Sequence, residues 1–338
     1  MKLIHKIFLA VTVLIALFAL ALAILPSDGK DDSPDTDAEL KKVTFRQGLI
    51  PSPIWIPYVV AQEKGFYEEE GLDVSILPGE GSASTIKLVD IGENDFGVVF
   101  ASEALIAKSQ GAEIVSLAAA QQQNNFRVYY RIDSGIRNPA EIAGKTLLSN
   151  QGGAGTTDFQ VFAKTVGLDI DSINWRFVQF STQSMNTFTK GEADVITGRD
   201  YQHGLRLKNT FKGNYREFNP RDYGVKMYGQ LVIANKDLLT ENPKMVRGFI
   251  KASIRGWEYA LENREESVRI MVEKYPEFTF EEELPKWEII SNADIMPEEG
   301  FGYQSPEVWE SMNGDFFSIG AIENKVNVDE IYTNDFLP

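Results

Sequence analysis

Two glycine-rich junctions carry the polar groups best suited to holding a ligand. In Gly79-Glu80-Gly81-Ser82-Ala83-Ser84-Thr85 the glycines precede hydroxyls at the start of an apolar-periodic segment. Free N–H groups and Ser or Thr oxygens therefore converge where an anionic or carbonyl edge could bind, although the same residues also serve as a plain turn and helix cap. Gln151-Gly152-Gly153-Ala154-Gly155-Thr156-Thr157 repeats the pattern, and its glycines let a ligand approach the backbone. No Gly-Lys-Ser/Thr follows, so nucleotide hydrolysis is not expected. Glu103, after Phe100-Ala101-Ser102, opens a helix; its carboxylate could accept hydrogen bonds from an amino-substituted ring or simply complement the helix dipole. Trp55, Tyr201 and Tyr223 fall just past strand ends or in connecting segments and together would make stacking faces for a flat ring, with ordinary packing the alternative for each.

Other chemistries are removed by what the chain lacks. It has no cysteine and two histidines, His5 and His203. A disulfide framework, a thiol nucleophile, a thiolate metal site and a histidine cluster are thereby excluded, and no catalytic residue, metal or cofactor is expected. His203, close to Arg199, Asp200 and Tyr201, reads as a surface loop residue rather than a base. With 33 Lys and Arg against 49 Asp and Glu, the net charge of −16 argues against nucleic acid as a partner, because nothing would neutralise phosphates.

The elements that must position these residues alternate as in an α/β protein. Strand candidates are 43–49, 72–77, 95–100, 114–120, 144–148, 174–180, 194–198 and 230–234. Helices are expected at 83–91, from 102, at 156–166, at 183–190 and, amphipathic and long, from Pro243 with Val246, Phe249, Ile250, Trp257 and Leu261 on one side. Pro51, Pro53 and Pro57 rigidify the loop around Trp55 and would present its ring. Ile91-Gly-Glu-Asn-Asp-Phe96 is echoed by Lys190-Gly-Glu-Ala-Asp-Val195, each ahead of a strand, which suggests two similarly built halves. Residues 281–338 read as helical, acidic and aromatic, packing back on the first half.

The chain opens with Lys2, His5 and Lys6 and an unbroken apolar run over 7–25, the pattern of an export signal. Ala21-Leu22-Ala23 offers a cleavage site, and the run is also long enough for an uncleaved anchor. Residues 26–40, rich in Asp, Pro and Ser, read as an acidic disordered tether. Either fate of residues 1–25 puts the remainder outside the cytoplasm.

The stretch Pro57 to Val74, with Ala61-Gln-Glu-Lys-Gly-Phe-Tyr67 and Glu69-Glu-Gly-Leu-Asp-Val74, resembles the opening of the extracytoplasmic solute-binding proteins of ABC importers, in the NMT1/THI5-like branch that includes thiamine-pyrimidine and sulfonate binders. The resemblance runs over about residues 43 to 270. It implies a two-lobed periplasmic-binding-protein fold of the type II, Venus-flytrap kind, α/β, with a central mixed sheet in each lobe. Residues 41–122 and 229–338 would form lobe 1 and residues 123–228 lobe 2, with Gln121 to Asn125 as the first crossing. It further implies a monomer that binds a small molecule in the cleft and delivers it to a membrane permease. Ser52, Trp55, Gly81, Ser82, Ser102, Glu103, Gln122, Gly152, Gly153, Thr156, Gly198, Tyr201 and Tyr223 are the ligand-binding positions carried over on this basis. Asp222-Tyr223-Gly224-Val225 resembles a motif of the thiamine-pyrimidine-precursor binders, which favours such a heteroaromatic. Riboflavin, alkanesulfonate, taurine and nitrate stay open, and Arg127 or Arg131 would serve an anion. The pyrimidine synthases of the same superfamily carry a cysteine-rich iron motif that this chain lacks.

Overall fold

The computed structural model describes residues 39–48, 51–150, 153–179, 181–293 and 297–338. Residues 40–338 form one compact unit. The apolar run 7–25, nearly all of the acidic tether and Gly152 lie outside the described residues. Among the described residues no helix is long and apolar enough to cross a membrane.

Two five-stranded mixed sheets of the same plan organise the chain. The first has the order β2-β1-β3-β10-β4, from Leu72–Leu77, Lys41–Arg46, Phe96–Phe100, Gln230–Asn235 and Ile114–Ala119. The second has the order β7-β6-β8-β5-β9, from Asn174–Phe177, Thr146–Ser149, Val195–Arg199, Phe126–Arg131 and Tyr215–Phe218. In each order the second strand pairs in parallel with both neighbours, and the fourth runs antiparallel between its own. That fourth strand always arrives by a crossing: β5 enters the second lobe as the chain leaves the first, and β10 brings it back.

The repeated Gly-Glu-x-Asp phrase has a mechanical reason. The Asp95 carboxylate accepts from both the backbone N–H and the hydroxyl of Thr44 on β1, at 2.7 and 2.8 Å. Asp194 accepts from the Thr146 N–H on β6 at 2.9 Å. Each aspartate thus pins the start of one strand to its parallel neighbour, and the glycine before it takes the left-handed turn, at φ +75° for Gly92 and +84° for Gly191.

Helices cover both faces, as parallel strands require. In the first lobe α1 (Ile56–Glu63) lies against the long helix α7 (Pro243–Glu262), whose Phe249 stacks on Phe96 with ring centroids 3.9 Å apart. Helices α2 (Ser82–Asp90) and α3 (Ala101–Ser109) follow β2 and β3, while α4 (Ala154–Thr165) and α5 (Thr182–Thr189) follow β6 and β7. The short helix α6 (Lys236–Glu241) leads from β10 into α7, and helices α8 (Arg264–Lys274), α9 (Phe280–Ala293) and α10 (Pro306–Ser318) complete the C-terminal region. This region does pack on the first lobe: Ser116 and Ala119 of β4 donate to the Ile331 and Gly302 carbonyls, each at 2.9 Å.

The two crossings run side by side. Gln121 N–H donates to Gln230 O at 3.0 Å, Gly229 N–H to Gln121 O at 2.9 Å, and Asn124 N–H to Met227 O at 3.0 Å. A Cβ at Gly229 would come within 2.8 Å of the Gln121 Cβ and 3.0 Å of the Gln123 carbonyl oxygen, so glycine is what lets the segments run this close.

Candidate functional site

The carboxyl ends of β3 and β8 and the amino ends of α2 and α4 surround a cavity of about 550 Å³ between the lobes, the place where open α/β sheets expose polar loops. The first lobe contributes Glu80, Gly81, Ser82, Phe100 and Glu103. The second contributes Phe126, Ser149, Asn150, Gly153 to Gly155, Thr197, Gly198, Arg199, Tyr201, Gln202 and His203, over a floor of Leu148 and Ile196.

Glu103 occupies the first turn of α3 and faces the cavity. Burial raises its pKa, opposed by donation from the Ser82 hydroxyl, by the Arg199 charge and by the Ala154 N–H. The Ala154 N–H belongs to the first turn of α4, so the carboxylate of one lobe complements the positive helix end of the other. Ser82 can donate to Glu103 because its oxygen already accepts from the Phe100 N–H at 3.1 Å.

Arg199 ends β8 and is 7 % exposed. Its Nη1 lies 3.1 Å from Asp158 Oδ2 and also donates to Asn124 Oδ1. Its guanidinium sits 4.3 Å from the centre of the Phe100 ring, a cation–π contact across the cleft. Asp158, on α4 and 2 % exposed, accepts from the Ser102 hydroxyl of the first lobe and from Asn124 Nδ2, both at 2.9 Å.

After Arg199 the chain makes a π turn, Asp200–Gly204, a geometry frequent at functional sites. Tyr201 leaves this turn to join the apolar cluster of the first lobe, beside α9, while one side still faces the cavity. Burial raises its hydroxyl pKa and keeps it protonated. His203 is buried, which corrects the expectation of a surface residue. Desolvation, with Arg199 and Arg206 nearby, takes its pKa down to about 3, so the imidazole is neutral. Its Nδ1 accepts from the Arg199 N–H at 3.2 Å, and its ring fills the space over Gly198, where a Cβ would lie 2.1 Å away.

Of the expected site residues, Gly81, Ser82, Glu103, Gly153, Gly198 and Tyr201 line the cavity, and Ser102 sits behind it on Asp158. Others do not face it. Trp55 is 2 % exposed and packs edge-on against Tyr275 with centroids 5.7 Å apart. Pro53 opens a 3-10 turn, Pro53–Trp55, that turns the ring into the first-lobe core rather than presenting it; the Ser52 carbonyl accepts from the Trp55 N–H to close that turn. Tyr223 is 39 % exposed and lies edge-on to Phe162 and Phe218, on the second lobe away from the cleft. Its 3-10 turn is capped by Asn219 and ended by Gly224 at φ +92°, which sends the chain back to the hinge.

Gln122 donates to the Ala119 and Tyr303 carbonyls and lines a second cavity of about 280 Å³ behind the hinge. Thr156 braces the loop through the Asn150 carbonyl and the Ser149 hydroxyl. Arg127 pairs with Asp200 and Arg131 with Asp133, so neither is the anion-binding arginine of the cleft. The sequence reading missed Arg199 as a cleft cation, along with Phe100, Phe126 and Asp158. The strand end at Gly198-Arg199 was a usable signal for the first.

With this geometry in place, residues 52–267 match the family described as NMT1/THI5 like. The chain belongs to the NMT1/THI5-like family. It is 25% identical over 298 residues to the formylaminopyrimidine-binding protein of Halalkalibacterium halodurans, covering 87% of this chain and 89% of that one. It is 21% identical over 310 residues to the 4-amino-5-hydroxymethyl-2-methylpyrimidine phosphate synthase of Legionella pneumophila, covering 88% and 92%. Among solved structures, the periplasmic aliphatic sulphonate binding protein SsuA of Escherichia coli superposes with a TM-score of 0.69 at 15% identity, covering 86% of this chain and 91% of that one. At that identity the likeness is one of fold, and the fold of this NMT1/THI5-like chain is the two-lobed α/β arrangement of the periplasmic binding proteins.

Proposed function

We propose that the protein is the solute-binding component of an ABC importer, acting outside the cytoplasm as a monomer. It closes on an amino-substituted heteroaromatic of the thiamine-pyrimidine-precursor type and passes it to a permease unchanged. The observation that carries this reading is the make-up of the cavity wall. Phe100, Phe126 and Tyr201 offer flat apolar faces, Glu103 offers a carboxylate, and Arg199, the one Lys or Arg lining it among the described residues, is already engaged by Asp158. A ring bearing an exocyclic amine matches that set, because its N–H groups meet an acceptor while its faces meet aromatic walls.

The formylaminopyrimidine-binding relative supports the same ligand class, and the sulphonate-binding neighbour supports the same mode of action. The lobes divide at 122/123 and 228/229 in this reading, and a ligand touching both favours the closed state by its differential affinity. The synthase relative shares the family, but transformation of the pyrimidine is not proposed here. The sequence has no cysteine, and the cavity's histidine is neutral with its Nδ1 committed to the backbone.

Calorimetry on the purified chain should show binding of a formylaminopyrimidine, with no new product by mass spectrometry. Glu103→Gln should weaken that binding about 10- to 100-fold, the range for loss of a charged hydrogen-bond acceptor. Binding of ethanesulfonate with silence towards pyrimidines would sink the ligand assignment, and turnover would sink the carrier role.

A further inference from the structure

A carboxylate buried at 2 % exposure within a helix whose neighbours are Phe159, Val161 and Phe162 is an expensive residue to keep. Asp158 does not itself line the cleft. It stands behind the wall and spends both oxygens on other groups, Oδ1 on Ser102 and Oδ2 on Asn124 and Arg199. Arg199 does line the cleft and is the only Lys or Arg that does so among the described residues. The cleft cation therefore comes with its counter-charge built in 3.1 Å away, its Nη1 paired with Asp158 and donating to Asn124.

A lone guanidinium in a partly desolvated cleft would be a strong site for a sulfonate, carboxylate or nitrate. Here an entering anion would meet a guanidinium already neutralised, with the Glu103 and Glu80 carboxylates on the facing wall. We propose that Asp158 sets the ligand class of the cleft: by neutralising Arg199 from behind, it rejects small organic anions and reserves the cavity for neutral or cationic rings. Arg199 is left as a stacking platform under Phe100 and as the anchor of the π turn, not as an anion receptor. This deepens the carrier reading given above and rests on the same site.

The test is a gain of binding, which a merely structural role for Asp158 would not produce. Using the full chain, calorimetry with ethanesulfonate should give no detectable heat for the wild type. Asp158→Asn, which keeps the side-chain shape and removes the charge, should bind ethanesulfonate at least about tenfold more tightly than the wild-type detection limit. Adding Arg199→Gln to that variant should abolish the gain. A folded Asp158→Asn protein with no response to ethanesulfonate overturns the proposal, as does tight binding of ethanesulfonate by the wild type.

Removing one partner of a buried pair can prevent folding, and Glu103→Gln then decides. Continued rejection of ethanesulfonate by that variant supports the proposal, because Asp158 still neutralises Arg199. A gain there would assign the exclusion to the general field of the cleft and overturn it. The aminopyrimidine arm is read separately. Wild-type silence towards the pyrimidine, together with a sulfonate gain in Asp158→Asn, would remove the proposed ligand while leaving the role of Asp158 intact.

Discussion

Trp55 and Tyr201 are both 2 % exposed and belong to the same apolar cluster, yet they come to it from opposite lobes. Trp55 is delivered by the 3-10 turn Pro53–Trp55 within the first lobe and packs on Tyr275 of α8's C-terminal end. Tyr201 is delivered by the π turn of the second lobe and packs beside α9 of the C-terminal region. Equal burial in one cluster therefore conceals two kinds of interaction. The first holds a lobe together; the second holds the lobes to each other and closes the wall of the cavity.

Substitutions should separate the two. Trp55→Ala should lower the unfolding free energy by ~3–5 kcal/mol, the usual result of emptying a large core aromatic site, with ligand affinity of the folded fraction nearly unchanged. Paired denaturant melts and titrations would check this, and an affinity loss without a stability loss would return Trp55 to the cleft. Tyr201→Ala should do the reverse, weakening ligand binding by ~1–3 kcal/mol through the lost aromatic wall while leaving the ligand-free melting temperature nearly unchanged. A large drop in ligand-free stability would mean that the ring never leaves the first lobe.

The smallest effect concerns the imidazole that braces the same turn. His203 has its folded pKa lowered from 6.5 to about 3, so the unfolded chain binds the extra proton as pH falls below 6.5 and folding loses stability. Between pH 7.5 and 5.5, down to one pH unit below the unfolded pKa, that loss is on the order of 1 kcal/mol. His203→Gln should remove that part of the pH dependence in denaturant melts at the two pH values. An unchanged slope would show that the turn can open to solvate the ring without global unfolding.

Much of the scaffold was legible because it rests on short-range pattern. The Gly-Glu-x-Asp echo marked two equivalent strand starts, and the structure gives the two aspartates the same task, on Thr44 and on Thr146. The face of Val246, Phe249, Ile250 and Trp257 announced the long helix α7. The site was less legible because its pairs join distant parts of the chain. Ser102, Asn124, Asp158 and Arg199 form one network, but no local spacing connects Asp158 to Arg199. Tyr223 misled for a related reason: an aromatic in a connecting segment can face either side of its turn, and here the Gly224 bend sends it outward. The short strand Tyr215–Phe218 escaped because it has four residues, two of them charged and exposed.

The interleaved strand order has a consequence for biogenesis. All five strands of the second sheet lie in one continuous stretch, from Phe126 to Phe218, so that sheet can assemble as soon as the segment has emerged. The first sheet cannot. Strand β4 has its ladder with β10 alone, which is made more than a hundred residues later, and its other contacts at Ala119 and Ser116 wait for Gly302 and Tyr332. During synthesis, the half of the molecule that begins first keeps an unpaired strand edge until almost the whole chain is available. An edge of that kind invites association between nascent chains, and the long delay makes this lobe, rather than the cavity-facing loops, the part of the protein most dependent on being held apart from its neighbours while it is made.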